Sequence, residues 1–558
     1  MINKYQQIGL WLLIFAFFLN LTSVPNIGYQ AGIKAAYNIG VYAGVVLFLI
    51  VTLSVSVNSR SIFYSSLIQY VFTLVVLFML IGLFNSNWKN TEYTFYAMLV
   101  GLLFLLSLTQ YQWNERQWFW FFYAISVLAL LQILISLVQR FDTFGVLYWW
   151  TEYFPFKFHK GYLGSLQQRN MLASFLSFSV VVSFWLVLQK NFIRLHVFIK
   201  IPVFLTILLG VFIVVGSGSR VGLLGVIFGL FLLFIALKGE IKAYSTGFLI
   251  AVFLGLLGLL MAYAFPTGFA NVTSKLAGVV YGTDIRLFLY GTGLNIFLEN
   301  FWFGVGIGNY SASLQEFIIN NALFLDKRIV NHNIERFTHP HNEFLFWMIQ
   351  VGFIGCITLF FGAILLLKNW WQQGTKPFLL YLGLSFPLLL QMLVSYPLSL
   401  SATHYFLVLT ILVFSLNLPV KKVTYSVSTF TVNSTRLVVF ILGLWFVYTA
   451  YVALMSAFEV YYFKNRLFFY KVYPEQEKIG YFHNASRSDL YRQGVLDNME
   501  NLVVKALPIQ NVYDMNQYLL WYKKQNEKSL PIRFQNYALR AEALLLIDLN
   551  SETLKKTE

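Results

Sequence analysis

Long apolar runs, each near the length of a bilayer-spanning helix and separated by short polar gaps, set the rhythm of this chain. They lie at 8–24, 37–57, 63–84, 93–110, 117–138, 168–189, 197–215, 220–238, 244–265, 343–367, 376–394, 402–418 and 436–459. An α-helix needs about 20 apolar residues to cross a hydrocarbon core, so the pattern predicts about 13 transmembrane helices. The first run follows Lys4 closely and lacks a small-residue cleavage site, which predicts an uncleaved first helix.

Composition supports a membrane protein. Of 558 residues, 58% are hydrophobic and 11% charged, and the mean hydropathy is +0.67. A soluble domain carries roughly 25% charged residues. The formal net charge of +16 would suggest nucleic acid in a soluble protein, but here the cations sit mostly in the gaps between apolar runs, so no nucleic-acid partner is expected. With the N-terminus inside, the even-numbered gaps hold Arg60, Arg116, Lys190 and Arg194, Lys238 and Lys242, Lys368 and Lys376, and Lys421 and Lys422. That is the bias expected of cytoplasmic gaps. The opposite gaps include the long loops 139–167 and 266–342, and an odd span count leaves the C-terminus outside.

The tail is richer in Lys, Arg, Asp and Glu, and 510–525 and 532–549 space Tyr, Leu and Ala at helical intervals. The expected fold is therefore all-α. A polytopic transmembrane bundle occupies 1–459, and a small helical domain outside the membrane occupies 460–558. The lone Cys356 lies in an apolar stretch and reads as a small buried hydrophobe.

Four segments could carry chemistry. His339-Pro340-His341-Asn342-Glu343 precedes a span that contains Gly352 and Gly355. Proline suits a helix start, which would put His341 in the first turn. There the helix dipole favours an anion and a neutral imidazole suited to general-base work; the alternative is a His-Pro-His cap with no chemistry. Arg220 ends Gly216-Ser217-Gly218-Ser219-Arg220 in a tight turn, and Arg286 lies in the long loop. Guanidinium forks match phosphate oxygens, although both could instead anchor to lipid headgroups.

Gly164-Ser165-Leu166-Gln167-Gln168-Arg169-Asn170 opens the sixth span with groups that could bind sugar or phosphate, or serve only as an interfacial cap. Phe303-Gly304-Val305-Gly306-Ile307-Gly308-Asn309 has neither the βαβ setting nor the lysine of a nucleotide loop and reads as a backbone turn. A metal at His332, His339 and His341 lacks supporting acids or a helical HExxH spacing, so no metal and no cofactor is expected.

His341-Asn342, nine residues, Gly352, two residues, Gly355 resembles the signature of the O-antigen ligase and polymerase superfamily. The Gly304–Asn309 loop, with Arg286 upstream, is similar to a segment of the same superfamily. Gln168-Arg169-Asn170, Tyr396-Pro397-Leu398 and the charged tail look most like the PglL-type bacterial protein O-oligosaccharyltransferases, with the departure that Ser395 stands where many such chains carry an acid. The resemblance implies a metal-independent glycosyltransferase of the bacterial inner membrane with its site facing the periplasm. Its donor would be an undecaprenyl-diphosphate-linked oligosaccharide, and its acceptor a serine or threonine of a pilin-like or other periplasmic protein.

In that reading His341 is the catalytic base and Arg220 and Arg286 hold the diphosphate. Gln168, Arg169, Asn170, Asn342 and Tyr396 position substrate, and the helix glycines serve close packing. The alternatives are a ligase acting on lipid A–core, a glycan polymerase and, from another class, a transporter or flippase of an anionic solute.

Overall fold

The computed structural model describes residues 2–22, 32, 35–84, 86, 88–141, 162–265, 285–320, 339–416, 421–424, 426 and 428–470. The chain divides into two units, Met1–Val24 with Ala31–Tyr448, and Pro25–Gln30 with Thr449–Glu558. The first holds the helical bundle and the candidate site. The tail expected to form helices at 510–525 and 532–549 lies outside the described residues, as do 142–161, 266–284 and 321–338 of the long loops.

The larger helices are α1 (Ile2–Phe18), α2 (Ile39–Ser59), α3 (Ser66–Phe84), α4 (Trp88–Leu108), α5 (Glu115–Phe141), α6 (Arg169–Val187), α7 (Val197–Gly216), α8 (Arg220–Ala236), α9 (Ser245–Ala264), α10 (Ile285–Glu299), α11 (Tyr310–Asn320), α12 (Glu343–Gln372), α13 (Thr375–Val394), α14 (Ala402–Ser415) and α15 (Thr429–Tyr470). Every expected apolar run falls on one of them. Eight helices of the described residues are long and apolar enough to cross a membrane: α2, α5, α6, α7, α9, α12, α13 and, over Val432–Tyr451, α15. The other expected spans correspond to shorter apolar helical stretches, Gln7–Leu21, Ile68–Phe84, Thr94–Leu108, Arg220–Ala236 and Ala402–Ser415. Helices α10 and α11 were not anticipated. They fall inside the expected loop 266–342, and their polar residues interrupt the apolar run that hydropathy looks for.

Helix α6 is the axis of the bundle, with α5, α7, α8 and α13 packed around it. Its serines would be costly in hydrocarbon, and they turn back on their own helix. Ser179 Oγ donates to Phe175 O at 2.8 Å, and Ser183 Oγ to Ser179 O at 2.7 Å. Outward faces such as that of α9 expose Leu249, Phe253, Leu256 and Leu260, which lipid chains would cover.

Close contacts fix which helix ends meet. Gly222 of α8 abuts Ala173 of α6, and Ser177 Oγ donates to Gly222 O at 2.8 Å. Gly225 and Gly229 of α8 abut Pro387 and Gly383 of α13, which makes that pair antiparallel. His404 of α14 meets Ser174 of α6. The N-termini of α6, α8 and α14 and the C-terminus of α13 therefore share one end of the bundle.

The cation-rich gaps gather at the opposite end. There Lys376 pairs with Glu240, and a two-stranded antiparallel ladder that the all-α expectation did not include joins β1 (Ser61–Tyr64) to β2 (Lys421–Thr424). The ladder pairs the two gaps that follow α2 and α14, whose C-termini arrive side by side.

Candidate functional site

The site is built at the cation-poor end, around the residues before α12. The helix starts at Glu343, and Asn342 caps it: its side chain accepts the Leu345 amide at 3.0 Å. Asparagine is a strong cap, so it outcompetes the proline-led start that the sequence suggested. His341 consequently lies ahead of the helix rather than in its first turn, and Pro340 is two residues before the cap.

His341 adopts a left-handed backbone with φ 57. Such a conformation is uncommon outside glycine and persists only where its surroundings hold it. Here both of its backbone groups are held. The His341 amide donates to Nδ1 of His339 at 3.1 Å, and the His341 carbonyl accepts from the Tyr290 hydroxyl at 3.2 Å.

His339 is the buried member of the pair. Its Nδ1 accepts a backbone amide, so the neutral ring carries its proton on Nε2. Burial, and then the neighbouring His341, push its pKa down to about 2, which keeps it uncharged. Its ring stacks on Tyr396 and meets His341 edge-on with centroids 4.3 Å apart. His341 is only partly buried. One histidine is thus buried scaffold, and the other is partly exposed beside it.

The turn that carries Tyr396 is braced from both sides. Glu343, 1% exposed, accepts the Ser399 hydroxyl at 2.7 Å, the Leu398 amide at 3.1 Å and the Trp347 indole N–H at 3.0 Å. Asn38, just before α2, donates to Leu400 O at 2.8 Å and accepts the Ala402 amide at 2.9 Å. The amide of Asn342 ties α12 to α13 by donating to Leu393 O at 2.9 Å. The local sequence assigns Glu343 no role; its only signal is an acid at the start of an apolar span, which needs buried donors to be tolerated.

Helix α12 breaks at Gly352, where φ is 66 and ψ −168. The broken turn leaves helix groups unpaired, and the Gly304 loop satisfies them. Val305 and Gly306 amides donate to Ile349 O at 2.9 Å and Gln350 O at 3.0 Å, while Phe353 donates to Phe301 O at 2.7 Å and Ile354 to Trp302 O at 3.2 Å. The Gly308 amide donates to Gln350 Oε1 at 2.7 Å. A Cβ on either Gly304 or Gly352 would drive into the other segment's backbone. The expectation that Gly352 serves helix packing is therefore corrected: it supplies a positive φ for a helix break. Gly355 lies against the side chain of Val351, one turn earlier on the same helix.

Arg286 is the second residue of α10 rather than a loop residue. Tyr290, the residue that holds His341, lies four positions on and hence on the same helix face, so α10 carries Arg286 one turn from the His341 contact. Arg220 opens α8 as expected, after Gly218 at φ 69 and with Ser219 capping through the Gly222 amide at 3.3 Å. Gln168, Arg169 and Asn170 open α6, also as expected. The segment before them is clamped by buried amides of α5: Gln132 accepts the Ser165 amide at 2.8 Å, Gln139 accepts the Gly164 amide at 2.8 Å, and Gln132 donates to Asn20 Oδ1 at 2.7 Å.

His339 thus bonds the His341 amide and stacks on Tyr396, Asn342 caps the helix that follows them, and Arg286 lies on the helix whose Tyr290 holds His341. Arg220 and the Gln168–Asn170 group stand on neighbouring helices that begin at the same end. His332 lies outside the described residues. The residues assembled here can offer an imidazole base, helix N-termini and guanidinium groups to a substrate that is anionic at one point and hydroxylic at another.

No curated protein matches the chain. The family described as O-antigen ligase matches over residues 204–360, a stretch that takes in Arg220, Arg286, the Gly304 loop, His341, Gly352 and Gly355 and so covers the centre of this site.

Proposed function

We propose that the protein transfers an oligosaccharide en bloc from undecaprenyl diphosphate to a serine or threonine hydroxyl of a pilin-like or other periplasmic protein. His341 takes the acceptor proton as the acceptor oxygen bonds to the anomeric carbon. The bond from that carbon to the phosphate oxygen breaks, and its electron pair leaves with the diphosphate. Displacement from the opposite face inverts the anomeric centre. Arg220 and Arg286 stabilise the charge that accumulates on the leaving group. Gln168, Arg169, Asn170, Asn342 and Tyr396 hold donor and acceptor in register.

The observation that carries this reading is His341, held in a left-handed conformation through both backbone groups just ahead of α12. Strain of this kind concentrates where a side chain must be aimed. The gathering of cation-rich gaps at the far end supports a periplasm-facing mouth in an inner-membrane protein.

The match described as O-antigen ligase favours a second reading with the same chemistry, in which the acceptor is lipid A–core or a growing glycan. Purified protein incubated with undecaprenyl-diphosphate-linked glycan, a pilin and lipid A–core separates the two. A pilin heavier by the mass of the glycan supports the protein acceptor, and glycan on lipid A–core alone supports the ligase. Solute uptake in proteoliposomes with no transfer to either would favour a transporter.

A further inference from the structure

Gln391 lies on α13, 1% exposed, and neither its Nε2 nor its Oε1 has a hydrogen-bond partner. Leaving an amide bare in the interior of a bundle costs roughly 1–3 kcal/mol, so a helix that needed only packing would carry leucine here. Its place follows from helix register. Gly383 and Pro387 contact Gly229 and Gly225 of α8. Gln391 is the next residue on that face, at i+4, and therefore lies against the first turn of α8, the turn that Arg220 opens. The same turn of α8 meets α6 through Gly222 and Ala173. At the start of α6, Gln168 also has a buried, unpartnered side-chain oxygen.

The chemistry of the unpaired atoms selects the ligand. A phosphate oxygen can accept from Nε2, but it can give nothing to Oε1. A ligand that satisfies both ends of Gln391, and the acceptor of Gln168, must donate as well as accept. Hydroxyl groups do so. We infer that Gln391, with Gln168, forms a subsite for the hydroxyls of the sugar that is joined directly to the donor diphosphate, beneath Arg220.

The inference rests on the proposed glycosyl transfer and adds to it a residue that reads the sugar rather than the phosphate. It makes Gln391 a binding residue whose loss leaves lipid and diphosphate recognition intact.

The test compares two probes, a polyprenyl diphosphate carrying one N-acetylhexosamine and the same polyprenyl diphosphate without sugar. Their affinities are measured for the wild-type protein and for Gln391→Leu, with Gln391→Met as a second apolar variant should leucine impair insertion. The expected result is about tenfold weaker binding of the sugar-bearing probe, since its hydroxyls would go unpaired. The bare diphosphate should bind as before, the KM for acceptor should be unchanged, and the melting temperature should be equal or higher.

Equal losses for both probes with a lower melting temperature would make Gln391 a structural residue and overturn the subsite. Unchanged affinity for both would assign its amide to trapped water and overturn it too, as would a shift confined to acceptor KM. Failure of the wild-type protein to bind or transfer any glycan would overturn the glycosyl-transfer reading and the subsite with it.

Discussion

The ring of His339 lies on the ring of Tyr396, with centroids 3.3 Å apart and planes 30° from parallel. This contact joins the segment before α12 to the turn after α13, two stretches that are remote in sequence. From it follows a division of labour between the two histidines. His339, stacked and bonded through Nδ1, holds the peptide of His341, whose own side chain is only partly buried.

His341→Ala should therefore abolish turnover while sparing donor binding. General-base catalysis contributes typically about 10²–10⁴-fold, and the rate of acceptor glycosylation should fall by that order. His339→Ala should fall less, because it loosens the peptide of His341 without removing the base. Rates for the two purified variants decide the matter, and a severe defect confined to His339→Ala would reverse the assignment.

The arginines predict a graded series. Lysine keeps the charge at Arg220 or Arg286 but loses the guanidinium fork, so each lysine variant should transfer more slowly than wild type, and alanine should also weaken binding of the lipid diphosphate. Full activity in both alanine variants would leave these residues as headgroup anchors.

Gly352→Ala should destabilise the protein and weaken expression. A non-glycine residue at a strained φ costs about 1–3 kcal/mol, and here the added methyl also meets the backbone of Phe303 and Gly304. Gly304→Ala should behave alike, since each glycine makes room for the other. The melting temperature in detergent reads both effects, and a wild-type value for either variant would show that the helix break is not needed.

Stability should depend on pH through His339. Its pKa in the fold is lowered to about 2, against about 6.5 for an unfolded histidine. Below about pH 6.5 the unfolded chain binds a proton that the folded chain refuses, so stability falls as pH drops through that range and is fully present above it. In His339→Phe, which keeps a ring against Tyr396, the acid-side decline in melting temperature should be shallower. An identical pH profile for the two proteins would contradict a neutral, buried His339.

Much of the fold was legible in the chain because lipid imposes a simple rule: a spanning helix must be long and apolar. That rule located the apolar helices and the cation-rich end, and the Gly-Ser turn before Arg220 and the polar start of α6 followed from local chemistry. It was blind to α10 and α11, which do not satisfy it, and it placed Arg286 in a loop. Local rules also put His341 inside the helix. The proline ahead of it is a start signal, but Asn342 is a stronger one, and the competition is settled only when the Leu345 amide finds its acceptor.

The sequence by itself determined the solvent of this protein, the positions of its apolar helices and the identity of the groups that could act. It did so because each of those properties resides in a run of neighbouring residues. Tertiary structure alone decided which of two histidines is buried, what Glu343 holds, why Gly304 and Gly352 must both be glycine, and that Gln391 has no partner for either end of its amide. Each of those depends on a group brought from another part of the chain: Tyr396 to His339, Ser399 to Glu343, one glycine loop to a broken helix, and the first turn of α8 to α13. Spacing along the chain carries no record of such meetings, because they are fixed by helix packing and by the need of every buried polar group for a partner.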